Sequence, residues 1–441
     1  MLCAEQSKGG VTVLALLPVI VFIVLVVAGC PFAFMMGLTG VAHLYSIGFQ
    51  GIADILSQKM FYGIDTFSYT CIAFFVCAGQ IMNKGGVTQS IVDVAQELIG
   101  FKKGGLAYAV VIVGMVLAAI LGSSNAVAVI LCTVMIPAMV SSGYDKEFAG
   151  CTVVSSAILG VIIPPSIDFV IYSVLTGISV KRMFVAGIVP GIMLGLCFMV
   201  VVYITAKKRN YPKYREHFSP KDAFHALIKG IPALMVPIII VGGVMGGLFT
   251  ATESGAVACL AATILGFANK KLKLSDFKDI FADSGIVTAG IMLIVSMGNI
   301  IGWSLAYDNV PTKLVNGILS ITTNGNLVML LVILLLFAIG CVMEAFAAEL
   351  ILIPVLAPLG NAMGYDPIQF GLIIIIMLTI ALATPPVGML LFTTSKVANI
   401  DLGKLNKGIW PFVIAGLIGT IILAYVPQIT TFLPNLLYGS V

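Results

Sequence analysis

Charge is scarce in this sequence. Asp, Glu, Lys and Arg make up 10% of its 441 residues, where soluble globular chains average about 25%. With 60% hydrophobic residues and a mean hydropathy of +1.13, this excludes an ordinary water-soluble enzyme and points to a polytopic membrane protein. Long polar runs are lacking as well. None exceeds about 25 residues, so no soluble domain is expected beside the apolar part. Histidine is limited to His43, His217 and His225. These lie far apart, two in a polar loop and one near a helix end, so neither a His-based catalytic centre nor a His metal site has support. The nine cysteines occur singly, with no C-x-x-C pair; Cys71, Cys77, Cys132, Cys197, Cys259 and Cys341 sit in apolar stretches. They read as small buried hydrophobes rather than redox centres. The net charge of +4 comes from loop residues and implies no nucleic-acid partner.

Apolar stretches of spanning length recur along the chain, among them Val11–Ala28, Gly187–Ala206, Ile231–Phe249 and Gly408–Val426. Val11–Ala28 is expected to be a retained span rather than a signal peptide, because no small-residue cleavage site precedes a soluble mature chain. Lys and Arg cluster at Lys207–Lys229, at Lys270–Lys278, at Lys102 and Lys103, and at Lys404 and Lys407. Such clusters mark the cytoplasmic side, so the loop 207–229 is expected there and both termini in the periplasm. Between Lys103 and the loop at Gly143–Phe148 lie two apolar segments joined by "LGSSNA", Leu121–Ala126. That turn carries only Gly, Ser and Asn among its polar residues, which favours a re-entrant hairpin. Irregular backbone is tolerated at membrane depth only where protein buries it or it lines a cavity.

The sequence also repeats itself. "GYD" occurs at Gly143–Asp145 and Gly364–Asp366, and a double proline at Pro164–Pro165 and Pro385–Pro386; both pairs are separated by the same 221 residues. An Ile-Pro pair at Ile136–Pro137 returns at Ile353–Pro354, four residues out of step. The first repeat is expected over 1–186, with a hairpin at 105–140 and a broken helix at 146–176. A linking span and basic loop occupy 187–229. The second repeat, 230–441, has a hairpin at 326–360, a broken helix at 366–398 and a terminal span. The first hairpin is flanked by Lys and the second is not, so the copies should be inverted. Inverted repeats with broken elements near the midplane are the plan of secondary transporters. Each double proline removes N–H groups from the helix ladder and frees carbonyl oxygens, which suit a desolvated Na⁺. The hairpin tips supply the other half of each site, and a helix N-terminus such as Ser124–Asn125–Ala126 offers N–H groups to an anion.

At these residues the chain resembles a known family. "ILGSSNAVAVILCTVMIPAMVSSGYDKEFAG", "GVIIPPSIDFVIYSV", "GLFTATESGAVA", "VMEAFAAELILIPVLAPLG" and "PPVGMLLFTTSKVA" are similar to the large membrane subunit of TRAP (tripartite ATP-independent periplasmic) transporters. The resemblance covers essentially the whole chain. It implies an all-α elevator-type fold and Na⁺-coupled import of an organic acid, of the C4-dicarboxylate or sialic acid class. It also implies a small four-helix membrane subunit, a periplasmic substrate-binding protein, and a place in the bacterial inner membrane. Carried over, one Na⁺ site would use Ser123 and Asn125 with Gly160, Val161 and Pro164. The other would use Gly340 and Met343 with Ala383, Thr384 and Gly388. Substrate contacts would come from Ser123, Ser124, Asn125, Ser166, Glu344 and Pro386. The family's first tip often reads Ser-Gly-Ser where this chain has Gly122-Ser123-Ser124-Asn125, and its second tip often carries Asp where this chain has Glu344.

Four acids lie within apolar segments: Asp168, Glu253, Glu344 and Glu349. Such residues default to functional roles. Glu344 is expected at or near a site, Asp168 either there or capping a helix, Glu253 as a helix-end anchor, and Glu349 as structural. Three other readings compete. One is a stand-alone Na⁺/dicarboxylate symporter of similar architecture. A second is an intramembrane hydrolase using Ser123 or Ser124, which lacks a base. A third is a channel, which has no need of paired broken sites.

Overall fold

The computed structural model describes residues 16–214 and 219–439, and every regular element among them is helical. His217 and the start of the expected span Val11–Ala28 lie outside the described residues. The chain begins with α1 (Leu16–Val27), α2 (Phe32–Ser46), α3 (Ile52–Ile64), α4 (Thr70–Lys84) and α5 (Val87–Ile99). Then come α6 (Gly105–Leu121), α7 (Ser124–Ser141), α8 (Lys146–Ile158), α9 (Ile167–Thr176) and α10 (Val180–Arg209). The second half holds α11 (Pro220–Met245), α12 (Ala251–Ala268), α13 (Asp276–Tyr307), α14 (Val310–Ile321), α15 (Gly325–Gly340) and α16 (Ala345–Ala362). It ends with α17 (Pro367–Ala381), α18 (Met389–Ala398), α19 (Leu402–Gly408), α20 (Trp410–Tyr425) and α21 (Gln428–Tyr438). Among the described residues five helices are long and apolar enough to cross a membrane, or eight if each bent pair is one span.

Helices α6 and α7 pack against each other, joined by a turn of two residues. Gly122 ends α6 in the left-handed region (φ 58°), and Ser123 is extended before α7 begins. A side chain at Gly122 would resist that backbone. Both open ends of this pair meet the basic segment after α10. Lys103 Nζ donates to Asn210 Oδ1 at 2.9 Å, Tyr214 N donates to the Gly100 carbonyl at 3.0 Å, and Tyr144 stacks on Tyr211 with centroids 4.6 Å apart. The pair therefore enters and returns at one end of the molecule. Helices α15 and α16 do the same at the opposite end: the Tyr365 hydroxyl donates to the Gly325 carbonyl, and the Tyr425 hydroxyl to the Asn326 carbonyl at 2.8 Å.

Helices α8 and α9 are the two halves of one broken helix, and α17 and α18 the halves of another. Each break carries its double proline, and both X-Pro bonds are cis. The halves cross in opposite directions. Lys146, at the start of α8, donates to the carbonyl of Asn399 after α18 at 2.9 Å, and Glu147 pairs with Lys404 of α19 at 2.9 Å. At the far end, the Tyr172 hydroxyl of α9 donates to the Pro367 carbonyl at the start of α17, at 2.7 Å. The Tyr172 ring lies on Gly371, where a Cβ would stand 2.3 Å from it. The first half of one broken helix thus meets the last half of the other, with both breaks between. Around this centre stand α2, α3, α4, α5, α11, α12 and α13, which pack among themselves as α12 on α4, α13 on α2 and α3, and α11 on α5.

Asp145, at the N-terminus of α8, lies outside the spanning segments and holds the basic end together. Its carboxylate accepts from the Tyr211 hydroxyl and from Arg209. The Tyr211 hydrogen bond, followed by Arg209, keeps this carboxyl below its usual range. A depressed folded-state value adds stability above the ordinary carboxylate range and loses it as pH falls through the depressed value. Asp145→Asn is therefore expected to lower the melting temperature at neutral pH. The gap from wild type should close in acid, as read by thermal unfolding across pH. A constant gap at all pH values would contradict it.

Candidate functional site

The first hairpin tip sits directly on the first break. A Cβ at Gly160 would lie 2.9 Å from Ser124 Cα and 3.0 Å from the Ser123 carbonyl oxygen, and one at Gly122 would lie 2.9 Å from the Pro165 carbonyl oxygen. Helix α8 ends in a single 3₁₀ turn, Leu159–Val161, where the Leu159 carbonyl accepts from both Ile162 N and Ile163 N at 3.1 Å. Pro164 and Pro165 then supply no N–H, so the Gly160 and Val161 carbonyls lose the donors a continuous helix would give them four residues on. The Ser124 hydroxyl oxygen is buried beside Gly160 with no hydrogen-bond partner. An unpartnered buried hydroxyl next to carbonyls without helical donors is a set of oxygen donors suited to a small hard cation. Val161, Pro164 and Ser166 are buried with it.

Asn125 faces another way. Its Oδ1 accepts from the Thr393 hydroxyl of α18 at 3.3 Å, joining the first hairpin to the second broken helix. Ser123 and Asn125 also line a cavity of about 360 Å³ between the tip and the surrounding helices. The opposite wall carries Gln80 and Asn83 of α4, with Val287 and Ile291 of α13. Sequence reading missed Gln80 and Asn83. Their signal was present, since two amides three residues apart share one face of an otherwise apolar helix.

The second tip and break are related to the first but not equivalent. Gly340 packs on the end of α17, where a Cβ would lie 2.6 Å from Ala381 Cβ. The carbonyls that lose helical donors to Pro385 and Pro386 are those of Ala381 and Leu382. They accept instead from Thr384 N at 3.0 Å and Leu390 N at 3.1 Å. Thr384 and Ala383 are fully buried, and the Thr384 hydroxyl donates back to the Ile380 carbonyl at 2.9 Å, leaving its oxygen lone pairs to accept. Gly388 restarts the helix at φ 55°, its Cβ position 3.1 Å from the Thr384 carbonyl oxygen. Pro386 and Val387 are exposed and Met343 is half-buried, so this break opens to the surface whereas the first is sealed.

Two of the expected contact residues are occupied as helix caps. The Ser166 hydroxyl accepts from Phe169 N at 3.3 Å, and the Glu344 carboxylate accepts from Ala347 N at 3.1 Å. Glu253 forms a capping box with Thr250, accepting its N–H at 2.8 Å, in the helix-end place read from the sequence. Asp168 caps nothing, since Ser166 takes that part, and Glu349 has no hydrogen bond.

Residues 19–429 match the family described as "Tripartite ATP-independent periplasmic transporter, DctM component". The chain belongs to this family of transporter permeases. It is a multi-pass inner-membrane protein and not an enzyme. It is 34% identical over 416 residues to the sialic acid TRAP transporter large permease protein SiaM of Vibrio cholerae, covering 94% of this chain and 97% of that one. It is 37% identical over 412 residues, 93% of the chain, to the isethionate TRAP transporter permease protein DctMQ of Oleidesulfovibrio alaskensis, and spans 65% of that longer protein. The C4-dicarboxylate large permease DctM of Pseudomonas aeruginosa is 33% identical over 381 residues, covering 86% of this chain and 89% of that one. Among solved structures, the YdaH transporter of Alcanivorax borkumensis shares the fold at a TM-score of 0.66 and 12% identity, covering 92% of this chain and 97% of that one.

Proposed function

We propose that this chain is the transport subunit of a Na⁺-coupled importer of an organic acid, fed by a periplasmic binding protein and assembled with a small four-helix membrane subunit. The observation that carries the reading is the pair of hairpin tips seated on two oppositely crossing broken helices. The first break gathers oxygen donors at Ser124, Gly160 and Val161 for Na⁺. The second offers Ala383, Thr384 and Gly388, with Gly340 and Met343 at its tip. The cavity beside the first tip suits an organic anion. It is largely apolar, with the amides of Asn125, Gln80 and Asn83, the Ser123 hydroxyl, and the N-terminus of α7, whose N–H groups favour a carboxylate. The relatives named above for isethionate, sialic acid and C4-dicarboxylates are all named for organic acids. In transport the two tips and two breaks would move as one block against α2–α5 and α11–α13 in an elevator stroke, carrying ion and acid together.

Uptake into proteoliposomes tests this. With the small subunit in the bilayer and the binding protein outside, an inward Na⁺ gradient should drive accumulation of the acid, and omission of either partner should abolish it. Robust Na⁺-driven uptake by this chain alone would establish the stand-alone symporter instead. An organic acid moving without Na⁺ would remove the ion sites from the mechanism.

A further inference from the structure

A groove of about 690 Å³ runs along α10 and α20, and it shares no lining residue with the cavity at the first hairpin tip. On α10 it is lined by Val200, Ile204 and Lys208, and on α20 by Pro411, Ile414 and Ile418. Spacings of three and four residues put each set on one face of its helix, so the groove follows the helix axes. Behind it the two helices close together. The Phe198 and Phe412 rings lie 6.3 Å apart, and a Cβ at Gly419 would stand 2.6 Å from the Leu194 side chain. The walls stay open, with Val200, Ile204, Ile414 and Ile418 each more than half exposed.

The groove carries charge at one end only. Lys208 and Arg209 line it where α10 ends, Cys197 lies at the other limit, and no carboxylate lines it. Lys208 is exposed and makes no hydrogen bond or ion pair among the described residues. Arg209 gives Nη1 to Asp145 and Tyr211, and a guanidinium has further N–H groups to offer. Trp410, exposed just before Pro411, is a side chain of the type that sits at a membrane–water boundary. At a helical rise of about 1.5 Å per residue, the groove is about 16 Å long from Cys197 to Lys208. That is half the ~30 Å hydrocarbon core, the depth of one leaflet. A membrane helix docked here would need twice that length, whereas a lipid chain needs no more. The absence of an acidic wall and the two cations at the mouth match a negatively charged headgroup.

We propose that this groove holds one acyl chain of an anionic phospholipid from the leaflet at the basic end, with the lipid phosphate against Lys208 and Arg209. The apolar walls of α10 and α20 hold the chain, and the two cations select a negative headgroup over a zwitterionic one. A lipid seated there touches both helices and stabilises the folded chain, because the unfolded chain has no groove to offer it. The site does not depend on the transport reading, since its ligand is a lipid and its readout is binding.

Native mass spectrometry of the purified, lipid-depleted full chain is the test, with thermal unfolding as a second readout. Phosphatidylglycerol should bind more tightly than phosphatidylcholine and raise the melting temperature, and inorganic phosphate should do neither. Lys208→Gln should weaken phosphatidylglycerol binding about fivefold, the loss expected for one basic residue at a membrane surface. Lys207→Gln removes the same charge outside the groove and should leave binding unchanged. Ala415→Trp, which fills the groove, should abolish it. Equal losses from the two lysine variants would reduce the effect to general surface charge and overturn the proposal. So would equal binding of phosphatidylcholine, or equal protection by inorganic phosphate. Bound lipid should persist when the small membrane subunit is added. A subunit that displaces the lipid, and that Ala415→Trp fails to bind, would make the groove a protein interface instead. If Ala415→Trp does not fold, the two lysine variants decide the matter alone.

Discussion

Replacing both Pro164 and Pro165 by Ala should strongly weaken the Na⁺ dependence of uptake while leaving the chain inserted in the membrane. The substitution restores two backbone N–H groups, which would donate to the Gly160 and Val161 carbonyls and withdraw them from the proposed ion site. Removing Pro from a helix interior favours the helix by about 3 kcal/mol per residue, so the variant gains local order as it loses ligands. The expected signature is a large rise in the Na⁺ concentration needed for half-maximal uptake, with thermal stability preserved. The matching change at Pro385 and Pro386 should have a smaller effect. There the two affected carbonyls already accept from Thr384 N and Leu390 N, so a restored helix competes with existing bonds rather than with a proposed ion ligand. The repeat alone leads one to expect equal effects; the hydrogen bonds at the second break make them unequal. Wild-type Na⁺ affinity in the Pro164–Pro165 variant would reduce the prolines to packing kinks.

Gly160→Val should be the most damaging single substitution at the first tip. Even a Cβ there would stand 2.9 Å from Ser124 Cα and 3.0 Å from the Ser123 carbonyl oxygen, both backbone-level contacts that cannot rotate away. Overpacking of this kind typically costs about 1–3 kcal/mol, and the cheapest relief is for the tip to lift off the break. Lifting separates the Ser124 hydroxyl from the carbonyls of the 3₁₀ turn, so Na⁺ binding and acid uptake should fall together by at least about tenfold, the ratio that 1.4 kcal/mol represents. Calorimetric titration of Na⁺ alongside uptake would check it. Loss of uptake with undiminished Na⁺ binding would show that tip and break do not form one site.

Much of this protein follows from covalent chemistry that the sequence states directly. Proline lacks an N–H wherever it stands, so the two breaks were legible at Pro164–Pro165 and Pro385–Pro386, and their common spacing exposed the repeat. Gly122 marked the first turn because the left-handed backbone favours glycine. The scarcity of charge determined the membrane class, since a charged side chain is costly in a bilayer whatever the fold. Contacts across long sequence distances were decided elsewhere. Whether Ser166 and Glu344 face a ligand or cap a helix depends on where the chain turns by a single residue. Pattern does not resolve that, and the structure makes both of them caps. The meeting of Asn125 with Thr393, and of Gln80 and Asn83 with the tip cavity, depends on how the two repeats cross. That crossing is chosen by the packing of many apolar side chains at once, each contributing little and none carrying an address. Glu349 therefore read as a structural acid within an oily helix, and only the tertiary structure showed its carboxylate fully buried with no hydrogen-bond partner.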